Sequence, residues 1–560
     1  RQVRVLCANS VMLLLYPPGI LLSGNDISQV LLAIFLGYYG TFGHRPRWLG
    51  VGALFTAASC FTAGLPHLIY GVGKDAIAAA EAVTIHKNEL CLSKPEDTCQ
   101  GGQGGAYIGP IILLFIAQFF VGIAISIFFS VGVTYLDDNV NKKTYPIYYS
   151  KSMTVLLRIL GPVFGFFIGG RCLSIWIDLS KEPNIDKEDP RWLGAWWLGF
   201  IFIGFALVIT SLPLFLFPRK LPATLRREGK RMLRQADKDK KEGRNRGVDY
   251  FISLAKTKKE EAKPTLKNLL VALKRLFTNK IWTGNLFSAT VSLLAVSGYW
   301  SFKPKYLENQ FRKSAAEANY YTGMASLFVS VVGAIISGSV MRWLRPGPRL
   351  VTGYNIFITF FSCLGFVSLM FIGCPKLEVI VVPPCSADCG CSDKFTPVCA
   401  QDKITLFYSP CYAGCSQEDL TAKPIHDWGT ATRGYCPEPC NGFFYYFLVE
   451  IIIKTVASTC RIGNSIVLLR SVLSQEDKGL SLGTVTVFIS LFAFIPAPII
   501  MGAIIDSACI VWDKTCGHSG NCWLYDSDKF RKILHLVPSG KTHLVSHQTV
   551  LHSSIPDLLK

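Results

Sequence analysis

The strongest constraint on this chain is the recurrence of apolar segments long enough to cross a bilayer. A spanning helix needs about 20 predominantly apolar residues. Such stretches occur at 27–42, 49–71, 107–136, 152–177, 193–217, 281–302, 319–341, 351–373, 442–466 and 484–506. A further apolar stretch at 11–22 is short and carries Pro17 and Pro18, so it does not read as a full span. So many apolar segments in one chain argue against a soluble globular protein. Charged residues are 17% of the chain, against roughly 25% in average soluble domains. The same apolar content excludes a disordered or collagen-like polymer. The expected class is an all-α membrane protein, because a helix satisfies its backbone polar groups internally.

The formal charge of +19 would suggest nucleic acid in a soluble protein. Here the charge is sorted along the chain. Residues 218–280 hold 20 basic against 7 acidic side chains, and the short turns 43–48 (GHRPRW) and 342–350 (RWLRPGPRL) are basic without any acid. The intervening loops 72–106, 178–191 and 375–440 are net acidic. The positive-inside rule places the basic segments in the cytoplasm and the acidic ones outside. The charge therefore reports topology and an affinity for the lipid bilayer, and no nucleic-acid partner is expected.

Cysteine placement agrees. Cys385, Cys389, Cys391, Cys399, Cys411, Cys415, Cys436 and Cys440 crowd into one acidic loop with Cys374 just before it. Cys516 and Cys522 fall in another outer segment, and no cysteine falls in 218–280. Disulfides persist in oxidising compartments. A zinc site would favour closely paired cysteines with histidine partners, and His426 alone is near, so no metal is expected. The basic proline-containing turns at 43–48 and 342–350 recur about 300 residues apart, which suggests two related halves. The organisation is then a first transmembrane half (1–217), a cytoplasmic linker (218–280), the start of a second half (281–374), an extracellular cysteine-rich insert (375–440), the rest of the second half (441–530) and a polar tail (531–560).

The most specific string begins at Asp189 and runs Asp-Pro-Arg-Trp-Leu-Gly-Ala-Trp-Trp-Leu-Gly-Phe. Physically it is an anchored helix entry. Trp192, Trp196 and Trp197 suit an interfacial aromatic belt, and Gly194 and Gly199 permit close helix approach. As a string, with Asp189, Arg191, Trp192, Gly194, Trp196, Trp197 and Gly199 in place, it resembles the signature of the organic anion transporting polypeptide family. GNDISQ (24–29), TYLDDNV (134–140), PKYLENQF (304–311), PVCAQDKITLFYSPCYAGC (397–415), LLRSVLSQEDKGLSLG (468–483) and GAIIDSACIVWDKTCGHSGNCWLYD (502–526) resemble the same family in order.

That resemblance implies a major-facilitator-type helix bundle of two six-helix halves in the plasma membrane. It also implies sodium-independent transport of amphipathic organic anions such as steroid conjugates, with a counter-anion such as bicarbonate. The block 385–440 resembles the family's extracellular Kazal-like domain. The chain departs from the family at residues 1–18 and 531–560, where the first and last spans are expected to be missing or replaced. It also lacks a Cys-x-Cys pair between Cys415 and Cys436, and carries Ser490 where some members have an arginine thought to touch substrate.

Ionisable residues inside spans are costly, so each is a functional candidate. His67 either senses outside pH or hydrogen-bonds backbone at the interface. Asp26 either pairs with a pore cation or caps a helix. Arg158 and Arg461 either face a cavity, pair with Glu450 or snorkel to the interface. Lys303 and Lys305 either anchor the helix end or line the anion route. No catalytic constellation and no cofactor is expected: Gly540-Lys541-Thr542 looks like the end of a P-loop, but that pattern needs glycine where His535 stands. The alternative to a transporter is a non-transporting scaffold that displays the Kazal-like block.

Overall fold

A computed structural model describes residues 17–71, 108–140, parts of 165–179, 194–242, 264–344 except 314, 347–374, 441–515 except 473 and 475, and 518–540, with short pieces at 379–380, 398–399, 405–409 and 432–433. The helices are α1 (Pro17–Phe42), α2 (Arg45–Tyr70), α3 (Ile108–Ile127), α4 (Val133–Asn139), α5 (Trp196–Leu216), α6 (Pro222–Lys241), α7 (Leu266–Thr278), α8 (Lys280–Phe311), α9 (Ala315–Trp343), α10 (Pro348–Leu369), α11 (Gly442–Ser458), α12 (Cys460–Ser471), α13 (Asp477–Ile489), α14 (Pro496–Asp506) and α15 (Ser527–Ser539). Two π-helical turns, Phe128–Gly132 and Ser490–Phe494, join α3 to α4 and α13 to α14.

Among the described residues, seven helical stretches are long and apolar enough to cross a membrane: Arg45–Tyr70, Gly109–Asn139, Trp196–Leu216, Lys280–Phe311, Leu350–Leu369, Gly442–Ser471 and Asp477–Asp506. Each corresponds to a stretch expected from hydropathy; the expected span at 152–177 lies largely outside the described residues. The helix ends follow local chemistry. Pro46 falls in the first turn of α2, where its missing N–H costs nothing. Asn279 Oδ1 caps α8 by accepting from the amides of Ile281 and Trp282.

The first half packs α1, α2, α3 and α5 together. Ile123, Ile127 and Val131 form its buried centre, with Leu32, Leu36, Leu49 and Phe55 against them. The second half is organised around α8, whose Tyr299, Tyr306, Leu307 and Phe311 are buried against α10, α11, α14 and α15. Helix α15 crosses the boundary expected at 530/531. Phe530 and Leu534 are fully buried in the second-half core, and Ile533 and Val537 pack on it. Helical spacing of these four residues in a polar stretch is what seats the helix.

The halves meet where α1 runs antiparallel to α13. A β-carbon on Gly37 would overlap the Gly479 carbonyl oxygen, and one on Gly483 would overlap the carbonyl of Ala33. Small residues bring the two backbones into contact, as membrane helices require. Below this contact, α7 lays Leu269, Ala272 and Leu276 against Tyr38, Trp282 and Leu480, and Trp282 Nε1 donates to Ser481 Oγ at 2.7 Å.

Outside the bundle, β1 (Val379–Ile380), β2 (Val398–Cys399), β3 (Leu406–Phe407) and β4 (Thr432–Arg433) form a small sheet in the order β1-β3-β2-β4. Cys374 and Cys399 each take part in a disulfide. Cys385, Cys389, Cys391, Cys411, Cys415, Cys436, Cys440 and Cys516 lie outside the described residues. A hairpin of β5 (Cys509–Thr515) and β6 (His518–Tyr525) follows α14 and is closed by a Cys509–Cys522 disulfide. Cys509 lies outside the expected bonded set because it directly follows a span; the hairpin sets it opposite Tyr525, with Cys522 opposite Trp512, and the bridge links the two strands across this offset. Burial and the neighbouring Asp506 push the Tyr525 phenol up to about 12, so it stays protonated and donates to that carboxylate.

The tight α1–α13 approach generates a test. Gly483→Leu should lower stability by about 1–3 kcal/mol through overpacking. The expected readout is a reduced melting temperature of purified protein in detergent, with Gly347→Ala, where a β-carbon meets open space, unaffected.

Candidate functional site

The chemistry concentrates between α8 and α11. Glu450 and Lys454 lie one turn apart on α11, the spacing at which opposite charges meet. Lys303 reaches the same carboxylate from α8. Lys303 Nζ stands 2.7 Å from Glu450 Oε1, and Lys454 Nζ 2.6 Å from that same oxygen. Tyr299 donates its hydroxyl to Oε1 at 3.0 Å. A chain of polar groups continues from there: Tyr299 and Tyr446 hydroxyls are 3.0 Å apart, and Tyr446 lies 3.2 Å from His535 Nε2. His535 Nδ1 donates to the Arg531 carbonyl at 2.7 Å.

Burial sets the energetics of this group. The Lys303 side chain is 0% exposed, Glu450 1% and Lys454 14%. Removing ions from water costs several kcal/mol each, which close pairing offsets. Two ammonium groups share one carboxylate, so the cluster carries one positive charge in excess. Lys454, the more accessible cation, stands over the Tyr299 ring at 5.3 Å. Glu450 Oε2 is buried and has no hydrogen-bond partner among the described residues.

Several expectations change at this point. Lys303 does not anchor a helix end at the interface: α8 continues to Phe311, so Lys303 falls inside it and is buried. Lys305 fits the anchoring role better, with a partly exposed pair to Glu308 at 3.4 Å. Among the described residues the carboxylate of Glu450 is held by Lys303 and Lys454; pairing with Arg461 or Arg158 was one of the alternatives expected for those arginines. Arg461 lies on α12 with its side chain outside the described residues, and Arg158 is outside them altogether. Lys454, Tyr299, Tyr446 and His535 were missed. The Glu-x-x-x-Lys spacing was a legible signal for Lys454; the others are joined only by the fold.

The remaining candidates sit elsewhere. Asp26 lies well within α1, so it is not a cap. It accepts from Ser490 Oγ at 3.2 Å, across the two halves at the π-helical turn, and Ser490 also lies 3.5 Å from Gln29 Oε1. The expected basic partner is thus a hydroxyl. His67 stacks on Trp197 with ring centroids 4.6 Å apart. Trp197 in turn donates to the Ile177 carbonyl at 3.2 Å, and Gly194 bridges to Trp176. Gly199 faces the Cys172 sulfur, and Trp196 meets Phe200 edge-on. Part of the signature string therefore builds the seat of His67. Asp189, Arg191 and Trp192 are outside the described residues.

A second charged group closes the opposite end of the inter-half contact. Asp137 pairs with Lys478 of α13, Asp138 with Arg45 at 2.5 Å, and Asp477 with Arg275 of α7 at 2.5 Å. The span expected from 484 starts instead at Asp477, because these pairs allow charged residues into the helix.

Glu450→Gln removes the one anion from the cluster and leaves two buried cations facing each other. A loss of about 3–5 kcal/mol is expected. Thermal melting in detergent should show a large drop, substantially restored when Lys303→Met is added, because the more deeply buried cation is then gone.

The Organic Anion Transporter Polypeptide family profile matches residues 16–530. The chain is 30% identical to solute carrier organic anion transporter family member 74D of Drosophila melanogaster, over 92% of this chain and 66% of that protein. It is 27% identical to member 4A1 of Mus musculus, over 93% of this chain and 73% of that one. The chain thus spans slightly less than two thirds of the fly relative. Its fold is similar to that of the major facilitator superfamily proton:xylose symporter XylE, with a TM-score of 0.51 at 12% identity, covering 98% of this chain and 90% of the other. The extent of the family match makes this chain a member of the organic anion transporter polypeptide family.

Proposed function

We propose that the chain carries amphipathic organic anions across the plasma membrane by alternating access. The observation that carries this reading is the buried Lys303–Glu450–Lys454 group with one cation in excess, in a member of this family. A fixed positive charge in an apolar surround favours an anion whose remaining surface is apolar, such as a steroid conjugate. Transport is sodium-independent and runs down the substrate gradient or in exchange for a counter-anion such as bicarbonate. The absent arginine at Ser490 moves the anion contact to Lys454.

In this reading 218–280 faces the cytoplasm, and 375–440 forms an extracellular Kazal-like cap. The Asp137–Lys478 and Asp477–Arg275 pairs then lie at the cytoplasmic end, and their closure supports an outward-facing state. Alternating access requires the Asp137–Lys478 pair, which joins the two halves, to part as they rock.

Two measurements test the proposal. Lys454→Gln leaves the Lys303–Glu450 pair neutral, so folding should persist. At equal surface expression the apparent Michaelis constant for a radiolabelled steroid sulfate should rise roughly tenfold or more, the worth of one charged contact. An uncharged analogue should change little. An unaltered constant for the sulfate would remove Lys454 from the anion site, and no uptake by the native chain would favour the scaffold reading. For orientation, an epitope inserted near Arg244 should be reached by antibody only after permeabilisation.

A further inference from the structure

We propose that α6 binds anionic phospholipid headgroups of the cytoplasmic leaflet and lies along that surface. This rests on the orientation proposed above. The helix PATLRREGKRMLRQADKDKK begins a few residues after span α5 ends at Leu216. A five-residue link reaches at most about 18 Å, so the start of α6 stays near the bilayer edge.

The sequence of α6 is two-faced. At 100° per residue, Leu225, Met232 and Ala236 fall on one strip, with Gly229 between them and Leu233 at its margin. Arg227, Lys230, Arg234, Lys238 and Lys241 occupy the opposite side. The helix holds eight basic and three acidic residues, and one acid, Glu228, is already paired with Lys220 at 2.8 Å. Leu225 and Leu233 are each 54% exposed. A half-exposed apolar strip beside a dense positive face is the pattern of a helix lying in a membrane interface. Charge complementarity selects the anionic inner leaflet as the occupant, since clusters of 4–8 basic residues cytoplasmic to a span are drawn to acidic headgroups.

The anchoring of α6 gives this contact a place in the mechanism. The Leu221 amide donates to Asn139 Oδ1 at 2.9 Å, while Thr224 Oγ1 and Arg227 Nη2 donate to the Asn139 carbonyl at 3.1 and 2.7 Å. Asn139 directly follows Asp137 and Asp138, which hold Lys478 and Arg45. A headgroup-bound α6 therefore holds in place the helix end that carries the inter-half ion pair.

Hydrogen exchange on the full chain in nanodiscs tests the proposal, and both faces are exposed there, so the result does not depend on orientation or on transport. Amides of residues 225–241 should exchange about tenfold more slowly in phosphatidylcholine with 30% phosphatidylserine than in phosphatidylcholine alone. High salt should abolish the difference. The variant Lys230→Gln, Arg231→Gln, Arg234→Gln, Lys238→Gln should show equal exchange in both lipids, while the span α8 is unchanged. Equal protection of the native helix in the two lipids would overturn the proposal. Protection by millimolar inorganic phosphate in neutral lipid would overturn it too, by assigning the face to a soluble anion.

Discussion

The direct backbone contact between α1 and α13 sets the axis on which the molecule is assembled. In hydrocarbon there is no hydrophobic drive between helices, so association relies on close packing and polar links. Gly37, Gly479 and Gly483 remove the side chains that would hold the two halves apart. Polar links then fall at fixed heights along this axis: Asp137 to Lys478 at one end and Asp26 to Ser490 at the π-helical turn. Because the contact is backbone to backbone, its geometry tolerates little adjustment.

The second half has a different logic. Around Glu450 the structure accepts the desolvation of three charges and surrounds them with aromatic rings: Tyr306, Tyr446, Phe366 and Phe530 pack about Tyr299 and His535. The Tyr299 and Tyr446 hydroxyls supply hydrogen bonds while the rings exclude water, so the ion pairs act in a low dielectric where they are strong and where an unpaired member is costly. The same surroundings make the surplus charge of Lys454 effective at a distance. One group thus serves the cohesion of α8, α11 and α15 and, in the proposed reading, also the attraction of an anion.

Much of this was legible from the chain alone, and the limits are physical. Long apolar runs marked the spans, because lipid demands them, and the apolar run at 484–506 located α13. Its true start at Asp477 was hidden, because hydropathy treats a charge as an end and cannot see Lys478 meeting Asp137. Glu450 and Lys303 stood out as charges in apolar surroundings. Their partnership did not, since 147 positions separate them in sequence and only the packing of α8 on α11 joins them. The resemblance singled out position 490, while the link from Ser490 to Asp26 needed the crossing of the halves. Cys522 was recognised as a bonding candidate, but its partner Cys509 emerged only once the hairpin brought the two strands together.

The sharing of one carboxylate oxygen by two lysines has a consequence for how such a protein can change over time. Substituting Glu450 alone strands two cations, and substituting Lys303 alone disturbs the most deeply buried pair. Losing either lysine leaves one charge-balanced pair, whereas joint replacement of Lys303 and Glu450 by uncharged residues of similar volume is nearly free. Lys454 is the more dispensable lysine, because it is the partly exposed one and its loss leaves the fully buried pair in place. Descendant sequences should therefore keep or discard Lys303 and Glu450 as a unit, while position 454 drifts under selection for what the protein carries. In the proposed reading, stability and substrate choice occupy adjacent turns of α11 yet answer to separate selective pressures.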